Sequence, residues 1–271
     1  MIFFVKMEKL GIYIENFINI YILDHIDIMK YKYRFNFLYD GYTTQLLCYY
    51  DLYSETYKIE IENDENEQYP CLILNLYLDK NGKDVAEVQW IRTLRTKCKI
   101  PSSDGGDWIM RLVDSIICQI GIARIILMDG SYILCQDNKI DLTKLRIYKG
   151  KYSWYKNFGY EIIEQQGITK KIYYDAIEQY INIPMNQIYE TTTKYFPCYD
   201  ILEIFKIYKI EPNQTLSAYM RQLYALDCSS YIQMESFLSE TSTSQYNFIW
   251  SQPLNIIEST TEYEKLLNCD D

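Results

Sequence analysis

Apolar residues recur at every second position along much of the chain from residue 31 to residue 94, the period of a half-buried strand. Five runs carry it: Tyr31–Leu38, Gln45–Leu52, Tyr57–Ile61, Cys71–Leu78 and Val85–Leu94. Between the last two, Asp79-Lys80-Asn81-Gly82-Lys83 holds an Asn-Gly pair, whose positive φ values suit a tight hairpin. A mainly antiparallel sheet is expected. Glu60 to Glu67 carries five acidic residues in eight positions and reads as a solvated loop rather than a metal site.

The period then changes. Ile109, Leu112, Val113, Ile116, Ile117 and Ile120 stand three or four apart and form one apolar helical face. Ser102, Ser103 and Asp104 can cap its start, and Gly121 can end it in the left-handed conformation. Ile122–Met128 reads as a buried strand, so strand, helix and strand predict a right-handed β-α-β crossover. A short helix at Leu142–Tyr148, a helical turn at Ser153–Asn157 and a strand from Tyr160 follow.

Beyond Gly167 the expected elements are helices: Tyr173–Ile183, Met185–Phe196, Tyr199–Ile210, Thr215–Leu226 and Tyr231–Glu240. Pro184, Pro197, Pro212 and Pro253 punctuate them. All ten glycines precede residue 168, and residues 168–271 hold 7 basic and 14 acidic side chains. That shift sets a boundary near Gly167. Residues 1–28 fit two patterns: Leu10, Ile14, Phe17 and Tyr21 line a helical face, while Ile18, Ile20 and Ile22 alternate. The expected fold is α+β: an N-terminal extension (1–28), a mixed, mainly antiparallel sheet domain with flanking helices (29–167) and a helical C-terminal region (168–271).

Composition narrows the function classes. The chain has 271 residues, a net charge of −10 and a pI near 4.8, which argues against a broad basic nucleic-acid surface. The 29 tyrosines, beside abundant Ile, Asn and Lys, read as AT-rich codon usage. The eight cysteines (48, 71, 98, 118, 135, 198, 228 and 269) lack the close spacing of a zinc knuckle, so no metal is expected. Glu15, Asp24 and Asp27 interrupt the apolar start, and no compact leader is evident there. Reduced thiols, a cytoplasmic location and no membrane follow as expectations, with Cys48, Cys71 and Cys118 as inert buried thiols. His25 is the single histidine, so chemistry falls to carboxylates, tyrosines, lysines or backbone amides.

Ser153-Trp154-Tyr155-Lys156-Asn157-Phe158-Gly159-Tyr160 and the run from Val85–Leu94 through Ser103-Asp104-Gly105-Gly106-Asp107 resemble the GNAT superfamily of acyl-CoA N-acyltransferases. The resemblance covers roughly residues 71–164. It implies a GNAT-like fold and acetyl-CoA or another acyl-CoA as cosubstrate. Ser103, Asp104, Gly105, Gly106 and Asp107 would hold the pyrophosphate on backbone amides. The acceptor would be an amine on a small molecule or a protein. Tyr155 takes the family's acid role, and Glu87 is the candidate base. The sequence departs from the family loop: Ser102 stands where Arg or Gln is usual, and Asp107 where a small residue is usual. The family's two helices after its first strand have no place between Leu38 and Gln45.

Independently, a helix N-terminus opened by two glycines is suited to an anion. Arg92, Arg95, Lys97 and Lys99 precede the helix, and Lys139, Lys144, Arg146, Lys149, Lys151 and Lys156 follow the next strand. Asp104 and Asp107 would oppose a pyrophosphate in a poorly solvated site and instead complement the dipole of a ligand-free helix start, which makes a structural cap slightly the better reading of this loop. The alternative reading is therefore a catalytically inactive GNAT-like scaffold that binds a protein partner through its C-terminal helices. Asp129-Gly130-Ser131, at the carboxyl end of a buried strand, reads as an ordinary turn.

Overall fold

A computed structural model describes residues 30–51, 56–61, 70–77, 84–91, 105–243 and 246–268. The described residues up to Met128, with those from Glu264 onward, form one compact unit; Asp129–Tyr263 form a second. The Asp79–Lys83 hairpin, the Ser102–Asp104 cap and the extension 1–28 lie outside the described residues.

In the first unit β1 (Lys30–Tyr39), β2 (Tyr42–Asp51), β3 (Thr56–Ile61), β4 (Leu72–Tyr77) and β5 (Val85–Ile91) pair antiparallel in sequence order. Asp40 and Gly41 make the β1–β2 turn at φ +50 and +76, the geometry two-residue hairpins favour. No helix intervenes there. After α1 (Gly105–Ile120), β6 (Arg124–Met128) returns beside β5 and parallel to it, as a crossover requires. The end of β10 (Glu262–Leu266) adjoins β6, where Leu267 N–H donates to the Ala123 carbonyl at 2.8 Å and Arg124 pairs with Glu264 at 2.9 Å.

One sheet face is the core. Ile59, Leu72, Leu74, Leu76, Ala86 and Ile125 are fully buried, while the intervening Lys58, Asn75 and Glu87 are half-buried on the other face. α1 packs against β5 and buries Ile109, Leu112, Val113, Ile116 and Ile117. Each such side chain contributes roughly 1.5–3 kcal/mol. α1 ends as the sequence suggests: Gly121 sits at φ +78, its N–H donates to the Cys118 carbonyl, and the Ile122 N–H donates to that of Ile117. Lys265 holds Asp114 of α1 at 2.6 Å.

The second unit opens with a hairpin that the sequence reading omits, β7 (Tyr132–Cys135) and β8 (Asn138–Asp141), turned at Gln136-Asp137. There follow α2 (Leu142–Tyr148), a 3-10 turn (Trp154–Phe158), and β9 (Glu161–Ile162), which adjoins β10. The helices are α3 (Lys170–Ile181), α4 (Met185–Tyr195), α5 (Ile201–Ile207), α6 (Leu216–Leu226), α7 (Cys228–Ser242) and α8 (Ser251–Glu258). Asp141, Ser153, Thr169, Thr215 and Asp227 each cap the helix or turn that follows with a side-chain oxygen. Pro253 does not interrupt but lies in the first turn of α8, where a missing N–H is harmless.

The cysteines correct one expectation. Cys135 is disulfide-bonded to Cys228, and Cys71 and Cys118 are disulfide-bonded too, so these thiols are not reduced. The folded backbone brings together cysteines that sequence spacing leaves far apart. No described helix is long and apolar enough to cross a membrane, and the described residues hold no cluster of three metal-ligating side chains.

Candidate functional site

In the first unit the parallel ladder ends before β5 does. β5 pairs with β6 from Val85–Arg124 only as far as Val88–Leu127, although β5 runs on to Ile91. On its other side, β5 pairs Val88 with Leu74 and Trp90 with Ile73, so Gln89 is an extra residue, a bulge. A bulge bends its strand and increases the twist. The ladder to β6 stops where this bulge begins, one residue before β6 itself ends at Met128, so β5 runs on past the end of its parallel neighbour.

The start of α1 lies on the same edge. β1, β3 and β5 run in one direction, so the end of β1 marks the edge where β5 ends. Trp108, in the first turn of α1, makes edge contacts with Tyr39 and Tyr42 at the β1–β2 turn, with ring centroids 5.8 and 6.3 Å away. The helix, 16 residues long and so about 24 Å, then returns to the amino end of β6. Its first turn is Gly105-Gly106-Asp107-Trp108, with the Asp107 side chain exposed and Trp108 buried. Of the expected pyrophosphate loop, Gly105, Gly106 and Asp107 are thus the first turn of α1, and Ser103 and Asp104 lie outside the described residues.

Glu87 sits in β5 beside Asn75 of β4 and Ile126 of β6, two residues before the bulge. Its carboxylate accepts hydrogen bonds from Asn75 Nδ2 at 3.1 Å and the Tyr77 hydroxyl at 2.7 Å. It faces away from the core side that α1 covers, because Ala86 and Val88 take that face. Burial and then Glu87 push the Tyr77 phenol up, so Tyr77 acts as a donor here.

Tyr155 belongs to the second unit. Ser153 Oγ caps its 3-10 turn through the Tyr155 N–H at 3.2 Å, and Gly159 closes the turn at φ +82. The ring is 8% exposed and packs beside Trp154 and Tyr263. Its hydroxyl bonds with Ser131 and Asp129; burial first, then the Asp129 charge, hold the phenol well above its ordinary pKa. Asp129 in turn accepts from the Ser131 N–H at 3.0 Å, from Ser131 Oγ at 2.7 Å and from Thr143 Oγ1. The segment read as an ordinary turn is therefore a polar anchor for Tyr155. Its signal was an Asp-x-Ser sequence after an apolar strand, which favours local side-chain-to-backbone bonds. Nearby, the Tyr173 and Tyr263 hydroxyls lie 3.3 Å apart, and burial pushes Tyr173 up to about 12.

Glu87 and Tyr155 thus stand in different units, each with its polar atoms engaged. Four of the six basic residues after β6 are engaged as well. Lys144 is paired with Glu258 at 2.6 Å and Glu235 at 3.2 Å. Lys139 lies over Tyr132 and Lys149 over Tyr224, while Lys156 lies between the Tyr152 and Tyr174 rings at 4.2 and 3.8 Å. Arg92, Arg95, Lys97 and Lys99 lie outside the described residues. The second unit also has an open groove of about 930 Å³ bounded by α4, α5 and the segment before α6, with Tyr189, Phe205, Lys206 and Lys209 in its wall.

The chain matches no protein-family model, no curated protein and no solved structure.

Proposed function

We propose that the protein is an N-acyltransferase of GNAT-like type that moves an acetyl or other acyl group from coenzyme A to an amine on a small molecule or a protein. One observation carries this reading: the β5–β6 ladder ends at Val88, where the Gln89 bulge begins, on the edge where α1 starts with Gly105-Gly106. Ligands of sheets with parallel strands gather outside the carboxyl ends of those strands. Backbone groups of β5 beyond Val88 are suited to pair with the extended, amide-bearing arm of coenzyme A. The first-turn N–H groups of α1 supply donors for its phosphates.

In this reading the amine attacks the thioester carbonyl directly, so no covalent enzyme intermediate is needed. Glu87 takes the amine's proton, directly or through a water, and Asn75 and Tyr77 keep its carboxylate in place. The resemblance gives Tyr155, in the second unit, the acid role toward the departing thiolate, with burial and Asp129 keeping it in the phenol form at neutral pH; the site proposed in the first unit does not rest on it.

A second reading, an inactive scaffold whose C-terminal helices bind a protein partner, has its own support. The Tyr155 hydroxyl already bonds to Asp129 and Ser131, and Asp107 places a carboxylate in the first turn of α1, where it suits a ligand-free helix. Thermal unfolding with acetyl-CoA, against ATP as a phosphate control, separates the two. At one hundred times the dissociation constant, a bound ligand adds about 2.7 kcal/mol, and each kcal/mol moves Tm by roughly 2–4 °C. A rise with acetyl-CoA alone supports the transferase. No rise at millimolar acetyl-CoA removes it and leaves the scaffold.

A further inference from the structure

Both compact units carry oxidised cysteines. In the second, Cys135 at the end of β7 is bonded to Cys228 at the start of α7, 93 residues away in sequence and 6.2 Å away between Cα atoms. That Cα separation lies within the span a disulfide bridges without moving the backbone. In the first, Cys71 and Cys118 are also disulfide-bonded. Among the described cysteines, only Cys48 and Cys198 are free. Reducing compartments keep thiols unpaired, and disulfides in several parts of one chain mark proteins that fold where disulfides form.

We infer that this protein matures in an oxidising environment, and that the Cys135–Cys228 bond is a lasting staple of its second unit. This goes beyond the acyltransfer reading and does not depend on it. In forming the bond, the two thiols give two protons and two electrons to a disulfide donor, either glutathione disulfide or a protein disulfide. The donor's S–S bond breaks, and it leaves as two thiols.

The staple joins two places that matter locally. Cys135 closes the β7 strand that follows the Asp129–Ser131 anchor of Tyr155. Cys228 follows Asp227, whose carboxylate caps α7 through the Ser229 N–H at 3.0 Å and accepts from the Tyr208 hydroxyl at 3.3 Å. The hairpin is short, four residues a strand, and an isolated two-stranded hairpin is only marginally stable. The bond therefore supplies the hairpin with an attachment to α7. A cytoplasmic location, expected from the sequence, does not fit this pairing.

The test equilibrates the full chain in glutathione buffers set to secretory-lumen and cytosolic ratios. Thiols are then trapped with N-ethylmaleimide under denaturing conditions and mapped by mass spectrometry. The expected result in the lumen-like buffer is a cross-linked Cys135–Cys228 peptide with adducts on Cys48 and Cys198. Recovery of Cys135 and Cys228 as trapped thiols in that buffer overturns the inference. A staple closing a loop of this length also predicts a Tm about 10 °C lower for the Cys135→Ser/Cys228→Ser protein without reductant. An unchanged Tm overturns its structural role. If the double variant does not fold, the Cys71→Ser/Cys118→Ser chain with and without reductant replaces it, since Cys135–Cys228 is then the one disulfide left among the described residues: a fall in Tm on reduction supports the staple, and no change overturns it.

Discussion

Lys144 offers a sharp test of how the second unit is held together, and the perturbation is Lys144→Met. The Lys144 ammonium in α2 lies 2.6 Å from Glu258 of α8 and 3.2 Å from Glu235 of α7, with Ser239 Oγ at 3.3 Å. The side chains of Lys144 and Glu235 are only 18% and 14% exposed. Methionine keeps most of the volume but leaves two carboxylates in a poorly solvated site with no cation. Removing one partner from a buried pair costs about 3–5 kcal/mol, whereas replacing all members by apolar groups is often neutral. The expected loss is therefore about 3 kcal/mol, or roughly 6–12 °C in Tm.

The pH dependence sharpens the test. Burial alone would lower the Lys144 pKa, but Glu235 and Glu258 outweigh it and hold the ammonium above its ordinary value. That contribution is complete below the ordinary lysine pKa and is lost only as pH rises through the folded value. Glu235 is raised by burial, with Lys144 pulling it back down. Without Lys144 it rises further, so its contribution is present below the ordinary carboxylate range and is lost as pH rises through the new, higher value. Urea unfolding of the variant should thus show a deficit that shrinks as pH falls from 8 to 5, and Glu235→Gln in the same chain should recover part of it. A cost below about 1 kcal/mol, or a deficit that is the same at both pH values, refutes the claim that this ion cluster is buried and coupled.

Two further outcomes follow from local geometry. Gly121→Ala should cost about 1 kcal/mol and lower Tm by roughly 2–4 °C: Gly121 holds φ +78, and a Cβ there meets no atom within 4 Å, so the penalty is conformational only. Native-state labelling at pH 8 should modify exposed Cys198 far faster than Cys48, whose thiol is buried and pushed up to about 12; equal rates would mean that the β2 core is open.

How much was legible depends on how local each signal is. Alternation fixed the strands β1 to β5, and the 3.6-residue period fixed α1, because burial on one face writes itself into neighbouring residues. Thr169 and Asp227 cap their helices, yet the starts expected at Tyr173 and Tyr231 fall inside the helices that begin at Lys170 and Cys228, because a cap residue is also an ordinary loop residue. The β7–β8 hairpin and β10 are only four or five residues long and hardly alternate. Their pairing partners, not their own pattern, make them strands. The disulfide was equally hidden, since 93 residues separate its ends.

The candidate site shows the same limit from the side of chemistry. Glu87 and Tyr155 could be chosen from sequence by residue type, but what each does is set by groups brought from elsewhere. Asn75 and Tyr77 reach Glu87 from the neighbouring strand, and Asp129 and Ser131 reach Tyr155 from a turn more than twenty residues earlier. The division of the chain adds to this. It leaves the first unit at Met128 and re-enters it at Glu264, so the residues that complete the β6 edge come from the far end of the sequence. A shift in glycine and charge content near Gly167 reports composition, whereas a compact unit is defined by which strands exchange hydrogen bonds. The Gln89 bulge is the informative exception. No residue type marks it, yet it falls where the β5–β6 ladder ends, and the proposed ligand would need backbone left free at that edge more than any single side chain.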